Sequence, residues 1–186
     1  MNTFLRLFSW TTLLCCAACS EANDKTAKPA STPKPIVNPS NEPLTKAAKA
    51  GSITLGGGCF WCVEAVYQRI DGITKVTSGY MGGTVANPTY KQICTGRTGH
   101  AEVVKVEFNP AKITLEKVLA VFWKAHDPTT LNRQGADIGT QYRSAIFYHT
   151  DADKAVAEKS LKAAGKSGEF RSPIVTEISP AATFYK

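Results

Sequence analysis

The chain has 186 residues and a formal net charge of +7. That length suits one domain with accessory segments. Its Lys and Arg are scattered, with no run of five and no interleaved aromatics, so nothing supports a nucleic-acid partner; solvated surface charge is the better reading.

Residues 1–19 stand apart from the fold. Arg6 gives a short positive start, Leu7 to Leu14 an apolar stretch, and Cys15-Cys16-Ala17-Ala18-Cys19 a small-residue ending. This is the pattern of a secretory signal, too short for a mature transmembrane helix. The Ala17-Ala18-Cys19 ending resembles a bacterial lipoprotein signal, in which Cys19 becomes the first mature residue and carries lipid. Cys16 stands where that pattern usually has Leu, so simple cleavage and release is the alternative. Residues 20–50 hold Pro29, Pro33, Pro35, Pro39 and Pro43 among Lys, Ala, Ser, Thr and Asn. Such a segment buries too little apolar surface to offset its ordering entropy and is expected to be a disordered linker. Export would place the protein in the periplasm or cell envelope, where disulfides persist. Only Cys59, Cys62 and Cys94 then remain in the folded part, residues 51–186.

From Gly51 onward, strand and helix signals alternate. Ile53 to Leu55 predicts a short strand, followed by the bend Gly56-Gly57-Gly58. Cys59 to Ile70 predicts a helix, with Val63, Val66, Tyr67 and Ile70 at helical spacing, ended by Asp71-Gly72. Ile73 to Ser78 predicts a strand and Gly79 to Gly83 a turn; Asn87-Pro88 marks a loop. His100 to Phe108 gives the clearest strand signal. Thr114 caps a helix whose Leu115, Val118, Leu119 and Phe122 form one stripe, terminated by Asp127-Pro128. A long loop over 129–140 precedes a strand from Tyr142 to Tyr148. Thr150 with Asp153 opens a helix to about Ala164, and Ile174 to Ile178 closes the series as a strand. The expectation is a single α+β domain, a two-layer α/β sandwich around a mixed sheet of the ferredoxin-like plait type.

Cys59 and Cys62 carry the first chemical signal. A thiol after a glycine bend, at a helix N-terminus, meets the positive end of the macrodipole and unpaired N–H groups, which favour the nucleophilic thiolate. The bland reading is an inert pair or half of a zinc site. Glu102 carries the second. It shares strand parity with Val104, Val106 and Phe108, whereas Val103, Lys105 and Glu107 take the wetter side. A carboxyl facing the apolar row is hard to ionise and can donate a proton near neutral pH. A purely structural pairing with an Arg such as Arg143 is the alternative.

Together these segments resemble the peptide methionine sulfoxide reductase A family, specific for the S epimer. The resemblance rests on Gly58-Cys59-Phe60-Trp61-Cys62, Gly79-Tyr80-Met81-Gly82-Gly83, Asn87-Pro88-Thr89-Tyr90, Thr98-Gly99-His100-Ala101-Glu102, Phe122 through Pro128, and Asn132 through Ser144. It implies Cys59 as nucleophile on the sulfoxide sulfur and Glu102 as proton donor to the departing oxygen. It implies Tyr90 and Tyr142 as phenols bonding that oxygen, with Asp137 beside them, and Phe60 and Trp61 as the wall for the S-methyl group. The Cys59 sulfenic acid that results needs a second thiol. Cys62, one helical turn on, is expected to resolve it, since no cysteine follows Cys94. The resemblance further implies no bound cofactor or metal, an external thiol reductant (a thioredoxin-like protein or dithiothreitol), oxidised proteins as substrates, and a monomer. In the family an acidic, Tyr- and His-containing tail follows the Phe184-Tyr185 region; this sequence ends at Lys186.

Other residues take structural readings: Cys94 a small buried residue, His126 a cation complementing a helix end, His100 a support, Arg133 and Arg143 ion-pair partners. Two rival functions stand beside the main one. An exported thioredoxin-like dithiol-disulfide oxidoreductase would use the same Cys-x-x-Cys but leave Glu102 and the tyrosines idle. A zinc module would need a second ligand pair to join Cys59, Cys62, Cys94 and a histidine.

Overall fold

A computed structural model describes residues 50–186. The expected signal, Cys19 and most of the expected linker lie outside the described residues.

Seven strands and four α-helices build the domain. β1 (Gly51–Gly57), α1 (Phe60–Tyr67), β2 (Ile73–Met81), α2 (Tyr90–Cys94) and β3 (Ala101–Phe108) come first. α3 (Leu115–Ala125), β4 (Arg133–Gln134), β5 (Asp137–Ile138), a 3-10 turn at Thr140–Tyr142, β6 (Ser144–Tyr148), α4 (Asp151–Lys166) and β7 (Glu177–Pro180) follow. The main sheet has five strands in the order β2-β3-β1-β6-β7. Only the β6–β7 pair is parallel, so the sheet is mixed, as expected. β4 and β5 form a small separate hairpin inside the long loop that the sequence left structureless.

The helices cover one face. Ile53 and Leu55 of β1, Val104 and Val106 of β3 and Ile146 of β6 pack there against Phe60, Val63 and Tyr67 of α1 and Leu115, Val118, Leu119, Phe122 and Trp123 of α3. Thr114 accepts a hydrogen bond from the Lys117 amide, the expected N-cap of α3. The α4 cap at Thr150 likewise accepts from the Asp153 amide.

The other face departs from expectation at one end. Strand alternation puts Val103 with Lys105 and Glu107 on the wet side, yet it is fully buried. It packs with Met81, Ala101, Ala145 and Phe147, and Ala181 and Phe184 lie over this group. The chain therefore returns at its C-terminal end to roof the sheet. There Tyr185 bridges β2: the Tyr80 amide donates to the Tyr185 carbonyl at 2.8 Å, and the Tyr185 amide donates back at 3.0 Å.

Candidate active site

Cys59 sits at the N-cap of α1, with its carbonyl accepting from the amides of Cys62 and Val63 at 3.1 and 3.3 Å. The helix starts one residue later than the sequence suggested and ends at Tyr67 rather than Ile70. Cys62 is exposed on the first turn. Its thiol is hydrogen-bonded to Cys59, and that bond, the neighbouring charge at Cys59, burial and the charge of Asp137 all push its pKa above the usual thiol value.

Glu102 is where strand parity placed it, on the helix-covered face and only 2 % exposed. Burial raises its pKa above the ordinary carboxyl range; the Phe60 amide partly offsets this, and the charge of Asp137 adds to it. That amide donates to Glu102 Oε2 at 3.2 Å. Arg143 does not pair with Glu102. Its Nε donates to Glu177 Oε2 at 3.0 Å and its Nη1 to the Thr140 carbonyl at 2.9 Å, which ties the 3-10 turn bearing Tyr142 to β7. Arg133 binds the Gly135 carbonyl rather than an acid.

The phenols converge on the same carboxyl. Tyr142 is the last residue of the 3-10 turn; its pKa is raised by burial and by the charges of Glu102, Asp137 and Cys94, against a hydrogen bond from Gln141. Tyr90 opens α2, a short helix that the sequence reading missed, and is half exposed. Its pKa is pushed up to about 12, first by a hydrogen bond with Cys94, then by the charge of that thiol. The two sit four residues apart, on one helix face. Cys94 is thus exposed at the site, not buried in the core as expected. Tyr80 is a further phenol that sequence reasoning left out. It pairs with Glu102 across β2 and β3, and its pKa is raised by burial and by Glu102.

Two aromatics complete the site. Phe60 is buried and packs on Tyr80 with ring centroids 5.6 Å apart. Trp61 is 63 % exposed, 5.4 Å from Phe60 and stacked on Tyr90 at 6.3 Å. Asp137, on the hairpin, is close enough for its charge to raise Cys62, Glu102 and Tyr142 together. All eight residues singled out in the sequence, Cys59, Phe60, Trp61, Cys62, Tyr90, Glu102, Asp137 and Tyr142, therefore belong to one locality, linked by the bonds, ring contacts and charge effects just described. His126 is not a helix-end cation. It is half-buried, and burial lowers its pKa so that it stays neutral. Among the described residues no group of three His, Cys, Asp or Glu side chains could hold a metal ion.

A thiol at a helix start, a second thiol hydrogen-bonded to it, a buried carboxyl of raised pKa and phenols of raised pKa beside an aromatic wall fit a thiol-dependent oxidoreductase. The comparisons agree. A family model described as peptide methionine sulfoxide reductase matches residues 51–186. A peptide methionine sulfoxide reductase MsrA of Methanoculleus marisnigri is 56% identical over 133 residues, 72% of this chain and 81% of that protein. The reduced form of Mxr1 from Saccharomyces cerevisiae superposes with a TM-score of 0.68 at 41% identity, covering 76% of this chain and 81% of that one. Mxr1 in complex with Trx2 superposes at 0.54 and 33% identity, over 76% and 83%. The chain belongs to the peptide methionine sulfoxide reductase family.

Proposed function

We propose that Cys59, Glu102 and Cys62 carry out the thiol-dependent reduction of methionine-S-sulfoxide, free or in proteins, to methionine. The Cys59 thiolate attacks the electrophilic sulfur, and Glu102 gives its proton to the oxygen. Tyr90 and Tyr142, both held neutral, donate hydrogen bonds to that oxygen while charge builds on it. Phe60 and Trp61 hold the S-methyl group and exclude water. The attack joins the two sulfurs; the protonated oxygen then passes to the Cys59 sulfur as the S–O bond and that sulfur–sulfur bond both break, methionine leaves with its lone pair restored, and Cys59 is left as sulfenic acid. The Cys62 thiol then attacks that sulfur, water departs, and a Cys59–Cys62 disulfide forms. An external dithiol of the thioredoxin kind, or dithiothreitol, reduces it by exchange; the complex of the related Mxr1 with Trx2 supports the first choice.

The observation that carries this reading is the bond from the Phe60 amide to buried Glu102, which sets a carboxyl of raised pKa beside the Cys59 peptide. The test is chromatography of dabsyl-methionine sulfoxide, both epimers present, with dithiothreitol. The S epimer should be consumed and the R epimer left. Reduction of insulin disulfides with both epimers untouched would instead mark a dithiol oxidoreductase.

Export, with Cys19 as a lipid anchor in the cell envelope, is supported by the sequence pattern of residues 1–19. Among the described residues no helix is long and apolar enough to cross a membrane. Labelled palmitate should enter the wild-type protein and not the Cys19→Ala variant.

A further inference from the structure

The bend that delivers Cys59 is enclosed from two sides. A Cβ on Gly57 would lie 3.2 Å from Cγ of His126, and a Cβ on Gly58 would lie 2.6 Å from Cγ of Gln134. Gly58 also holds φ +89, in the region that favours glycine. The imidazole thus fills the space a side chain at Gly57 would take and the Gln134 side chain that at Gly58, and both are anchored at the same point of the chain. His126 ends α3. Gln134 grips the next residue twice: its Oε1 accepts from the Asp127 amide at 3.1 Å, and its Nε2 donates to the Asp127 carbonyl at 3.0 Å.

The hydrogen bonds of His126 run in one direction. Nδ1 lies 2.9 Å from the Phe122 carbonyl, which can only accept, so Nδ1 carries the hydrogen. Nε2 of the neutral ring must then accept, and Ser144 Oγ, 2.7 Å away, must donate to it. Ser144 Oγ in turn accepts from Thr176 Oγ1 at 2.7 Å. Ser144 is also the partner of Gly57 across the β1–β6 ladder. The chain Thr176–Ser144–His126–Phe122 therefore joins the approach to β7, the start of β6 and the end of α3 under the last residue of β1. No atom of this assembly belongs to the reacting set.

We propose that His126 and Gln134 are positioning residues: their two-sided clamp on Gly57-Gly58 fixes the Cys59 sulfur relative to the Glu102 carboxyl. The inference rests on the reading of Cys59 as nucleophile and Glu102 as acid. A displacement of one ångström in such an arrangement can cost about 100-fold in rate.

The test compares Gln134→Ala, Gln134→Glu and Thr176→Val in the full chain, with dithiothreitol as reductant. Gln134→Ala opens the outer side of the clamp and should lower kcat about 10- to 100-fold while KM stays within about twofold. Gln134→Glu keeps the acceptor for the Asp127 amide and loses the donor, so it should recover part of that loss. Thr176→Val removes only the last donor of the chain under His126 and should lower kcat more mildly. Alkylation of Cys59 by iodoacetamide, in a Cys62→Ser, Cys94→Ser background, needs no aligned proton donor and should change less than about twofold. The proposal is overturned if folded Gln134→Ala keeps its kcat, or if kcat falls only in step with lost secondary structure. Failure of the underlying reading looks different: Cys59→Ser would then retain full activity.

Discussion

Phe60 and Glu102 are joined by one hydrogen bond of 3.2 Å, and its donor is the peptide group that links Phe60 to Cys59. The acid and the nucleophile are therefore held by the same amide. A shift of one must move the other, and the carboxyl gains an anchor that does not require ionisation.

Glu102→Gln keeps an acceptor for that amide but has no acidic proton. It should lower kcat about 100- to 1,000-fold, within the range of general acid catalysis. The same change should stabilise the fold at neutral pH. Glu102 has a raised pKa, so between its unfolded value near 4.5 and its folded value the unfolded chain is ionised while the native one resists. The unfolded state then binds fewer protons, and stability falls as pH rises through that window. Melting temperatures of the two proteins should coincide in acid below this window and separate in favour of Glu102→Gln at pH 7. An unchanged kcat would remove Glu102 from the chemistry.

Cys62→Ser should uncouple one turnover from the next. Each enzyme should release one methionine and stop with Cys59 as sulfenic acid, trapped by dimedone and weighed by mass spectrometry. In the wild type without reductant the same measurement should find a Cys59–Cys62 disulfide. A Cys59–Cys94 bond instead would contradict the assignment, a real contest because Cys94 is also at the site.

Tyr142→Phe removes one donor to the sulfoxide oxygen. It should lower kcat/KM about 10- to 100-fold, in line with a charge-assisted hydrogen bond of about 1.5–3 kcal/mol. Tyr90→Phe should act in the same direction. The rate measured through pH 10 should show no Tyr90 ionisation, because its hydroxyl titrates only at about 12.

Phe122→Ala tests the scaffold rather than the site. Phe122 is fully buried at the centre of the α3 stripe. The loss should be about 3–5 kcal/mol of unfolding free energy, read by urea titration.

Strand parity and helical spacing carried most of this structure. Glu102 could be aimed correctly because β3 alternates regularly along its even-numbered residues, and the α3 stripe predicted all of its buried face except Trp123. Tyr90 and Tyr142 reached the site list only through family resemblance, since a helix of five residues and a 3-10 turn of three are too short for periodicity to betray a side chain's direction. The helix bearing Tyr90 was nonetheless legible: Thr89 and Gln92 form a reciprocal capping box directly after Pro88. Val103 failed for a different reason. Local alternation says which side a residue faces but not what a distant segment, here Ala181 to Phe184, will bring to cover it. His126 was misread because helix-end position suggested a charge, whereas burial keeps the ring neutral. The β4–β5 hairpin is held by Gln134 and Asp127, a contact between loops that leaves no pattern in sequence.

The Tyr80–Tyr185 bridge has a colloidal consequence. β2 is an outermost strand, and an unpaired outer strand is a template for a neighbouring molecule's backbone. Tyr185 occupies one rung of that template while Phe184 shields the apolar patch beside it. Preparations cleaved before Phe184 should scatter light on concentration well before they lose catalytic rate.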